Sequence, residues 1–415
     1  MKQAEGFVVK GKEDYVYRMI RSIYGLKQAS ADFNSCLNDA FMKLGFRRSK
    51  IDPCLYTKKN SAGKLIIVCV YVDDLLILSG DEKEIRKFKN DISLIFKITD
   101  LGDVTQLLGM AIRYDKKSRI LELHQQPYVE RILEMYEHET HVVSTPSEVD
   151  IYGKYVKDCF NNPKEGKYPY REGIGCLMYL ANTTRPDISN AVRFLSSFVT
   201  NFTEFHVDAF KRILKYLSGT SNVGIRYVAG LNGLMALSAY SDASWADDYG
   251  TARSTTGLII LYNGSPVIWK SVLQGVIANS TLQSEYIALA ECVIEVRYIR
   301  SILLELFEET ESSEVNVTMS RKKDCAVKEN IDAAVAIATN IFVDNQAAIC
   351  VGNSNASSKR SRHINIKLHI VKESVINKEV TLTYIESAKN LADIFTKSLS
   401  RGPFVKLRDQ ILVRV

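Results

Sequence analysis

Apolar residues recur at helical spacing at Phe33, Leu37, Ala40, Phe41 and Leu44, which predicts a helix there. Cys54–Thr57 predicts a short strand. Two intensely apolar runs follow, Leu65–Val72 and Leu75–Leu78, with only Asp73 and Asp74 between them, and they predict a hairpin. Ile85, Phe88, Ile92 and Phe96 share one face of a second amphipathic helix. Leu107–Tyr114 and Ile120–His124 flank Asp115-Lys116-Lys117-Ser118, a second expected hairpin. Residues 140–168 are rich in Ser, Pro, Lys, Asp and Asn and predict a linker. From Tyr168 to Tyr227 the pattern predicts helices. Phe205, Ala209, Phe210, Ile213, Leu214 and Leu217 make one stripe, and Arg185-Pro186-Asp187 opens another helix, proline suiting a first turn. Strand signals return at Met235–Ser241, Gly257–Tyr262 and Val267–Lys270. A helix from about Leu282 to Leu306 is apolar enough to be buried on most sides. The chain then predicts a strand at Ile341–Val343, a helix near 364–376, a strand at Val380–Ile385 and a helix from about Leu391. There is no internal repeat.

At 415 residues the chain is too long for one ordinary domain. Its apolar and charged fractions are those of packed globular proteins. A formal charge of +6 permits a nucleic-acid partner without demanding one. The basic patch Lys359-Arg360-Ser361-Arg362-His363, continued by Lys367, His369 and Lys372, fits phosphates or an ordinary solvated face. The eight cysteines are scattered without a CxxC pair, which predicts reduced thiols rather than disulfides or a zinc site. No signal-like N-terminus and no run of roughly 18 apolar residues is present, so an intracellular chain, cytoplasmic or nuclear and without a membrane partner, is expected.

Tyr71-Val72-Asp73-Asp74 is the first segment that carries chemistry. Two adjacent carboxylates at an apolar hairpin tip repel each other, and divalent cations such as Mg²⁺ offset that repulsion. An ordinary turn explains the pair as well, although the flanking apolar strands favour a site. Ile23-Tyr24-Gly25-Leu26-Lys27-Gln28-Ala29, Asp52-Pro53-Cys54-Leu55-Tyr56 and Tyr71-Val72-Asp73-Asp74 resemble, in order and spacing, the reverse transcriptase of copia-type LTR retrotransposons. The resemblance continues through Asp100-Leu101-Gly102, Leu108-Gly109-Met110, Tyr168-Pro169-Tyr170-Arg171 and Thr184-Arg185-Pro186-Asp187-Ile188. It implies that Asp73 and Asp74 are palm-domain metal ligands and that Gly25, Lys27 and Gln28 lie near nucleotide and template. It also implies a third carboxylate on an upstream strand. Asp14, the one aspartate before Asp32, lies in a polar stretch, so the chain alone is expected not to polymerise DNA. Ser30 and Phe33 stand where the family usually has proline and tryptophan.

A second set of acids lies beyond residue 235. Asp242 follows an apolar strand, Glu285 lies near the start of the long helix, Asp344 ends a strand and Asp393 sits in a first helical turn. Each carboxylate at the edge of an apolar element is costly unless compensated, and convergence on Mg²⁺ or Mn²⁺ would compensate it. Strand-end turns and helix-dipole acids are the plain alternatives. The segments Tyr240-Ser241-Asp242-Ala243-Ser244-Trp245, Ser284-Glu285-Tyr286, Val343-Asp344-Asn345-Gln346 and Leu391-Ala392-Asp393-Ile394-Phe395-Thr396-Lys397 resemble, in that order, the copia-type ribonuclease H domain. The resemblance implies that Asp242, Glu285, Asp344 and Asp393 are metal-binding carboxylates in two-metal hydrolysis of the RNA strand of an RNA–DNA hybrid. Arg362 and His363 match a family segment beside that site. Glu311–Asn340 is longer than the family pattern by roughly 20 residues, and Gln283 replaces a usual glutamate.

The expected fold is therefore a multidomain α+β and α/β chain. It comprises a partial palm with an antiparallel hairpin (1–140), a linker and helical thumb or connection (141–230), a ribonuclease H-like mixed sheet flanked by helices (231–400) and a C-terminal tail (401–415). The expected partners are an RNA–DNA hybrid, a primer-template and a complete reverse transcriptase copy. The competing expectation is a catalytically inactive nucleic-acid-binding remnant, a pseudogene product or a domesticated protein. An unrelated metal-dependent phosphotransferase is the third.

Overall fold

The computed structural model describes residues 1–20, 22–23, 25–60, 63–136, 141–151, 153–155, 168–230, 237–311, 337–354 and 365–415. They fall into two compact units, Met1–Gly102 with the stretch from Ser301, and Asp103–Arg300 with the C-terminal part of the chain. No helix among the described residues is long and apolar enough to cross a membrane.

In the first unit the helix Ala29–Lys43 buries Leu37, Ala40 and Phe41. A four-stranded sheet follows in the order β1-β2-β3-β4: Arg47–Arg48, Leu55–Lys59, Leu65–Tyr71 and Asp74–Ser79, all antiparallel. Ile66, Val68 and Val70 of β3 point into the core, with the residues between them half-buried, so period-two alternation survives in a run that is almost wholly apolar. Asp81 caps the helix Glu82–Ser93 by accepting from the Lys83 amide at 3.0 Å, and that helix buries Phe88 and Ile92. Phe41, Phe46, Tyr56 and Phe88 pack edge-on and tilted, with centroids 4.7–5.8 Å apart, and close the core.

The second unit holds two five-stranded sheets. In one, β5 (Gln106–Leu107), β6 (Met110–Asp115), β7 (Ile120–His124) and β8 (Val223–Val228) are joined by the last strand of the chain, β14 (Val413–Arg414), in the order β14-β8-β7-β6-β5. The other has the order β11-β10-β9-β12-β13. There β9 (Leu237–Asp248), β10 (Arg253–Tyr262) and β11 (Ser265–Leu273) are antiparallel, while β12 (Thr339–Val343) lies parallel to both β9 and β13 (Val380–Tyr384). Tyr286, Leu289, Val293 and Val296 of the helix Thr281–Glu311 pack on Ala239, Leu258, Ile260, Ile341 and Val343 of this sheet. The helices Tyr170–Thr183, Ser189–Ser196, Glu204–Ser218 and Arg401–Ile411 build a separate core around Tyr170, Leu177, Phe210, Phe395 and Phe404.

Most elements form where the periodicity predicts, and the exceptions have local causes. Val223–Val228 is a strand, not the end of a helical stretch. Helix Glu204–Ser218 stops at Gly219, and the missing side chain of Gly224 admits the Leu123 carbonyl, which would lie 2.4 Å from a Cβ there. Strand β9 runs on through Asp242 to Asp248, so Asp242 sits inside a strand rather than after one. The helix expected from about Leu391 is broken into Asp393–Thr396 and Arg401–Ile411. Arg185 of the Thr-Arg-Pro-Asp motif is fully buried. It forms a fork on Asp187 at 3.0 and 2.8 Å and reaches Thr220, while the Tyr216 hydroxyl donates to Asp187 at 2.5 Å. That motif is a strut for the helical core.

Candidate functional site

Parallel pairing of β12 on β9 sets Val343 opposite Ser241, which brings the next residues, Asp344 and Asp242, side by side. Asp393 arrives from a different direction. Buried Asn390 donates to the Ser241 carbonyl at 3.0 Å and accepts from the Ala392 amide at 3.1 Å, tying the turn before Asp393 to β9. The turn can lie that close because position 257, opposite Asp242 on β10, is glycine. A Cβ there would be 2.6 Å from Thr396 Cγ2 and 2.9 Å from the Ala392 carbonyl. One carboxylate oxygen from each of Asp242, Asp344 and Asp393 consequently lies within 4.8 Å of the others.

Glu285, in the first turns of the long helix, feels the charges of these aspartates. The carbonyl of its neighbour Ser284 accepts from buried Gln274 at 3.0 Å. Glu285 is 5% exposed, and its Oε2 has no hydrogen-bond partner among the described residues. Burial, and then the charges of Asp242 and Asp344, push its carboxyl up to about 9. Burial and Asp242 raise Asp393 to about 6 and move Asp344 upward too. Three raised carboxyls, Glu285, Asp344 and Asp393, crowded around Asp242 form a concentrated negative site short of cations.

One cation is built in. The Lys397 ammonium donates to Asp393 at 2.7 Å and to Asp242 at 3.3 Å. Burial opposes its charge, but Asp242 and Asp393 outweigh that and hold its pKa above the ordinary lysine value. The Thr396 hydroxyl donates to the other oxygen of Asp242. Ser387 donates to Asp393 at 3.3 Å. The donor set suits a hard divalent cation: clustered carboxylate oxygens, one of them buried and unpartnered. Asp242, Glu285, Asp344 and Asp393 are the residues that could hold it.

The other carboxylate pair is built differently. Asp73 and Asp74 lie at the β3–β4 turn, both exposed, as are Tyr71 and Val72. Among the described residues no third acid, histidine or cysteine groups with them.

A family model described as reverse transcriptase (RNA-dependent DNA polymerase) matches residues 1–148. A putative transposon Ty5-1 protein of Saccharomyces cerevisiae is 33% identical over 298 residues, covering 71% of this chain and 94% of that protein. The chain belongs to the copia-type retrotransposon Pol family. The retrovirus-related Pol polyprotein from tobacco transposon TNT 1-94 is 34% identical over 410 residues, 97% of this chain and 28% of that polyprotein. That from Arabidopsis thaliana transposon RE1 is 30% identical over 413 residues, 99% of this chain and 26% of that one. The chain thus spans about a quarter of the length of these two Pol polyproteins.

Within this Pol chain, Gly25, Lys27 and Gln28 form an exposed turn that leads into helix Ala29–Lys43, Gly25 at φ +92°. Arg362 and His363 lie outside the described residues, as does residues 312–336 of the long segment before β12. Lys367 of the basic patch is paired with Glu291 at 2.7 Å, and His369 is exposed. Gln283 accepts from the Asn279 amide at 2.8 Å and so steadies the entry to the long helix. Sequence reasoning assigned no role to Lys397, Thr396 or Gly257. The spacing Asp393-x-x-x-Lys397 was the available signal for the first, since residues four apart face each other on a helix.

Proposed function

We propose that the second unit hydrolyses the RNA strand of RNA–DNA hybrids, with divalent Mg²⁺ or Mn²⁺ held by Asp242, Glu285, Asp344 and Asp393. The observation that carries this reading is the convergence of Asp242, Asp344 and Asp393 from three separated segments to within 4.8 Å, beside a buried Glu285 that feels their charge and whose Oε2 is unpartnered among the described residues. Bound there, divalent metal supplies charge neutralisation and Lewis-acid activation of water and phosphate. The chain's own residues do the rest. Thr396 fixes the rotamer of Asp242, Asn390 and Gly257 set the approach of Asp393, and the Lys397 ammonium, bonded to both Asp242 and Asp393, offsets part of their crowded negative charge. Recognition rests on phosphates and 2′-hydroxyls rather than base edges, so cutting is largely independent of sequence. We assign no polymerase reaction to the chain alone, because Asp73 and Asp74 form a pair without a third ligand among the described residues. The domains are read accordingly: reverse transcriptase remainder to about residue 140, linker and helical connection to about 230, ribonuclease H from 231 to 400 and a C-terminal segment from 401 to 415.

One observation favours a second reading, an inactive nucleic-acid-binding remnant. The Lys397 ammonium already bridges Asp242 and Asp393, where an active site would place metal. Cleavage of a labelled RNA–DNA hybrid by the full chain in Mg²⁺ and in Mn²⁺ separates the two. Metal-dependent cutting supports the nuclease; hybrid binding at low salt without cutting by folded protein supports the remnant.

A further inference from the structure

A cavity of the second unit, about 810 Å³, shares no residue with the carboxylate cluster. Four arginines line it: Arg212, Arg401, Arg408 and Arg414. Asp409 is the one acid in its wall. Two of these guanidiniums are engaged. Arg408 forks onto Asp409 at 2.8 Å, and Arg212 donates to Thr145 at 3.0 Å and lies 3.6 Å from Glu148. Arg401 and Arg414 are exposed and have no charged partner among the described residues. Crowding guanidiniums around one cavity is unfavourable unless an anion enters it. The helix Arg401–Ile411 starts on the same wall, its amides uncapped by the Ser400 side chain, and a Cβ at Gly402 would meet nothing within 4 Å. Between the arginines the wall is apolar: Val142, Val223, Val405 and Leu412.

From this geometry we propose that the cavity is a binding site for a phosphorylated ligand of nucleotide size. Its phosphates lie against Arg401, Arg414 and the open helix start, and its base or sugar against the valines. The volume falls in the range of small-ligand pockets, roughly 300–1,000 Å³. The planar arginine fork matches phosphate oxygens two at a time. The same chemistry is offered by a free nucleotide and by one unit of a nucleic-acid strand.

The test uses the full chain and a fluorescently labelled nucleoside triphosphate in the presence of a chelator, so that metal at the carboxylates contributes nothing. Saturable one-to-one binding, displaced by inorganic tripolyphosphate, is expected. Arg401→Glu with Arg414→Glu should weaken it by about tenfold or more, the effect of losing charge-assisted contacts. Arg401→Glu alone places an acid in a first helical turn, where the fold tolerates it, and should weaken binding by a smaller factor. Displacement by a short oligodeoxynucleotide assigns the site to a strand, and failure of that displacement assigns it to a free nucleotide. Either result keeps the phosphate site. Absence of saturable binding, or undiminished binding by the folded double variant, overturns it. Neither measurement depends on hybrid cleavage.

Discussion

The two carboxylate groups of this chain answer the same electrostatic problem in opposite ways. Asp73 and Asp74 are neighbours in sequence and stand on an exposed turn, where solvent screens their mutual repulsion. Asp242, Asp344 and Asp393 are up to 151 residues apart, taking 393 minus 242, yet the fold brings them within 4.8 Å of one another, with buried Glu285 feeling their charge. The second arrangement requires a whole support layer: Lys397, Thr396, Asn390 and a glycine at 257. The first requires a hairpin. A carboxylate cluster that the fold assembles against its own electrostatics is the stronger sign of a cation site, because sequence adjacency alone costs a surface turn little.

The sharpest way to break that comparison is to neutralise one acid of the buried cluster and both acids of the exposed pair. Asp242→Asn should lower metal-dependent hybrid cleavage by about a thousandfold or more, since metal charge stabilisation is worth several kcal/mol. Asp73→Asn with Asp74→Asn should leave cleavage unchanged. Equal losses in the two variants would mean that the hydrolytic site is not confined to the buried cluster.

Packing gives the next largest contrast. Gly257→Val drives carbon into Thr396 and the Ala392 carbonyl, so urea unfolding should show about 1–3 kcal/mol of destabilisation. In the first unit, Gly80 faces open space at ordinary backbone angles. Gly80→Ala should be neutral or slightly stabilising. A neutral Gly257→Val would show that the short helix carrying Asp393 is free to move away from β9.

The pH dependence follows from the raised carboxyls. Burial and neighbouring charge lift Glu285 from an ordinary 4.5 to about 9 and Asp393 from 3.8 to about 6. Within each interval the folded chain holds a proton that the unfolded chain has released, so metal-free stability should fall as pH rises from about 4 to about 9. Mn²⁺ or Mg²⁺ should flatten that decline by supplying the missing positive charge, and Glu285→Gln should remove its upper part. Urea unfolding at a series of pH values, with and without metal, reads this directly. A metal-free stability that climbs across the same interval would contradict the crowded-carboxylate picture.

Much of this was legible in the sequence. Periodicity gives β3, β4 and β10 and the long helix, because strong apolar patterns dominate local preference. Of the four motif-bearing acids, Asp242, Asp344 and Asp393 are brought within 4.8 Å of one another. The support layer is harder to read. Nothing local marks Gly257 as a contact for Thr396 139 residues away, taking 396 minus 257; only the pairing of β9 with β10 and the return of the chain show it. Val223–Val228 escaped for a related reason, since its strand identity is set by β7 and by β14, almost two hundred residues later. Arg185 reads from the sequence only as part of a helix start; its buried role shows once its partners Asp187, Tyr216 and Thr220 are in place.

The smallest expected effect tests the exposed side of the comparison. Val72, just before the aspartate pair, sits at φ +51°, a left-handed conformation that costs a branched side chain roughly 1–2 kcal/mol. Its side chain is 63% exposed, so it recovers little of that cost through burial. Asparagine tolerates the same backbone by hydrogen bonding locally. Val72→Asn should therefore stabilise the chain by up to about 1 kcal/mol in urea unfolding, partly offset by the β-propensity lost next to β3. It should also leave hybrid cleavage untouched. Destabilisation instead would mean that Val72 packs against something in solution. The hairpin tip would then be a covered surface, and the contrast between an exposed acid pair and a buried acid cluster would narrow to a difference in partners.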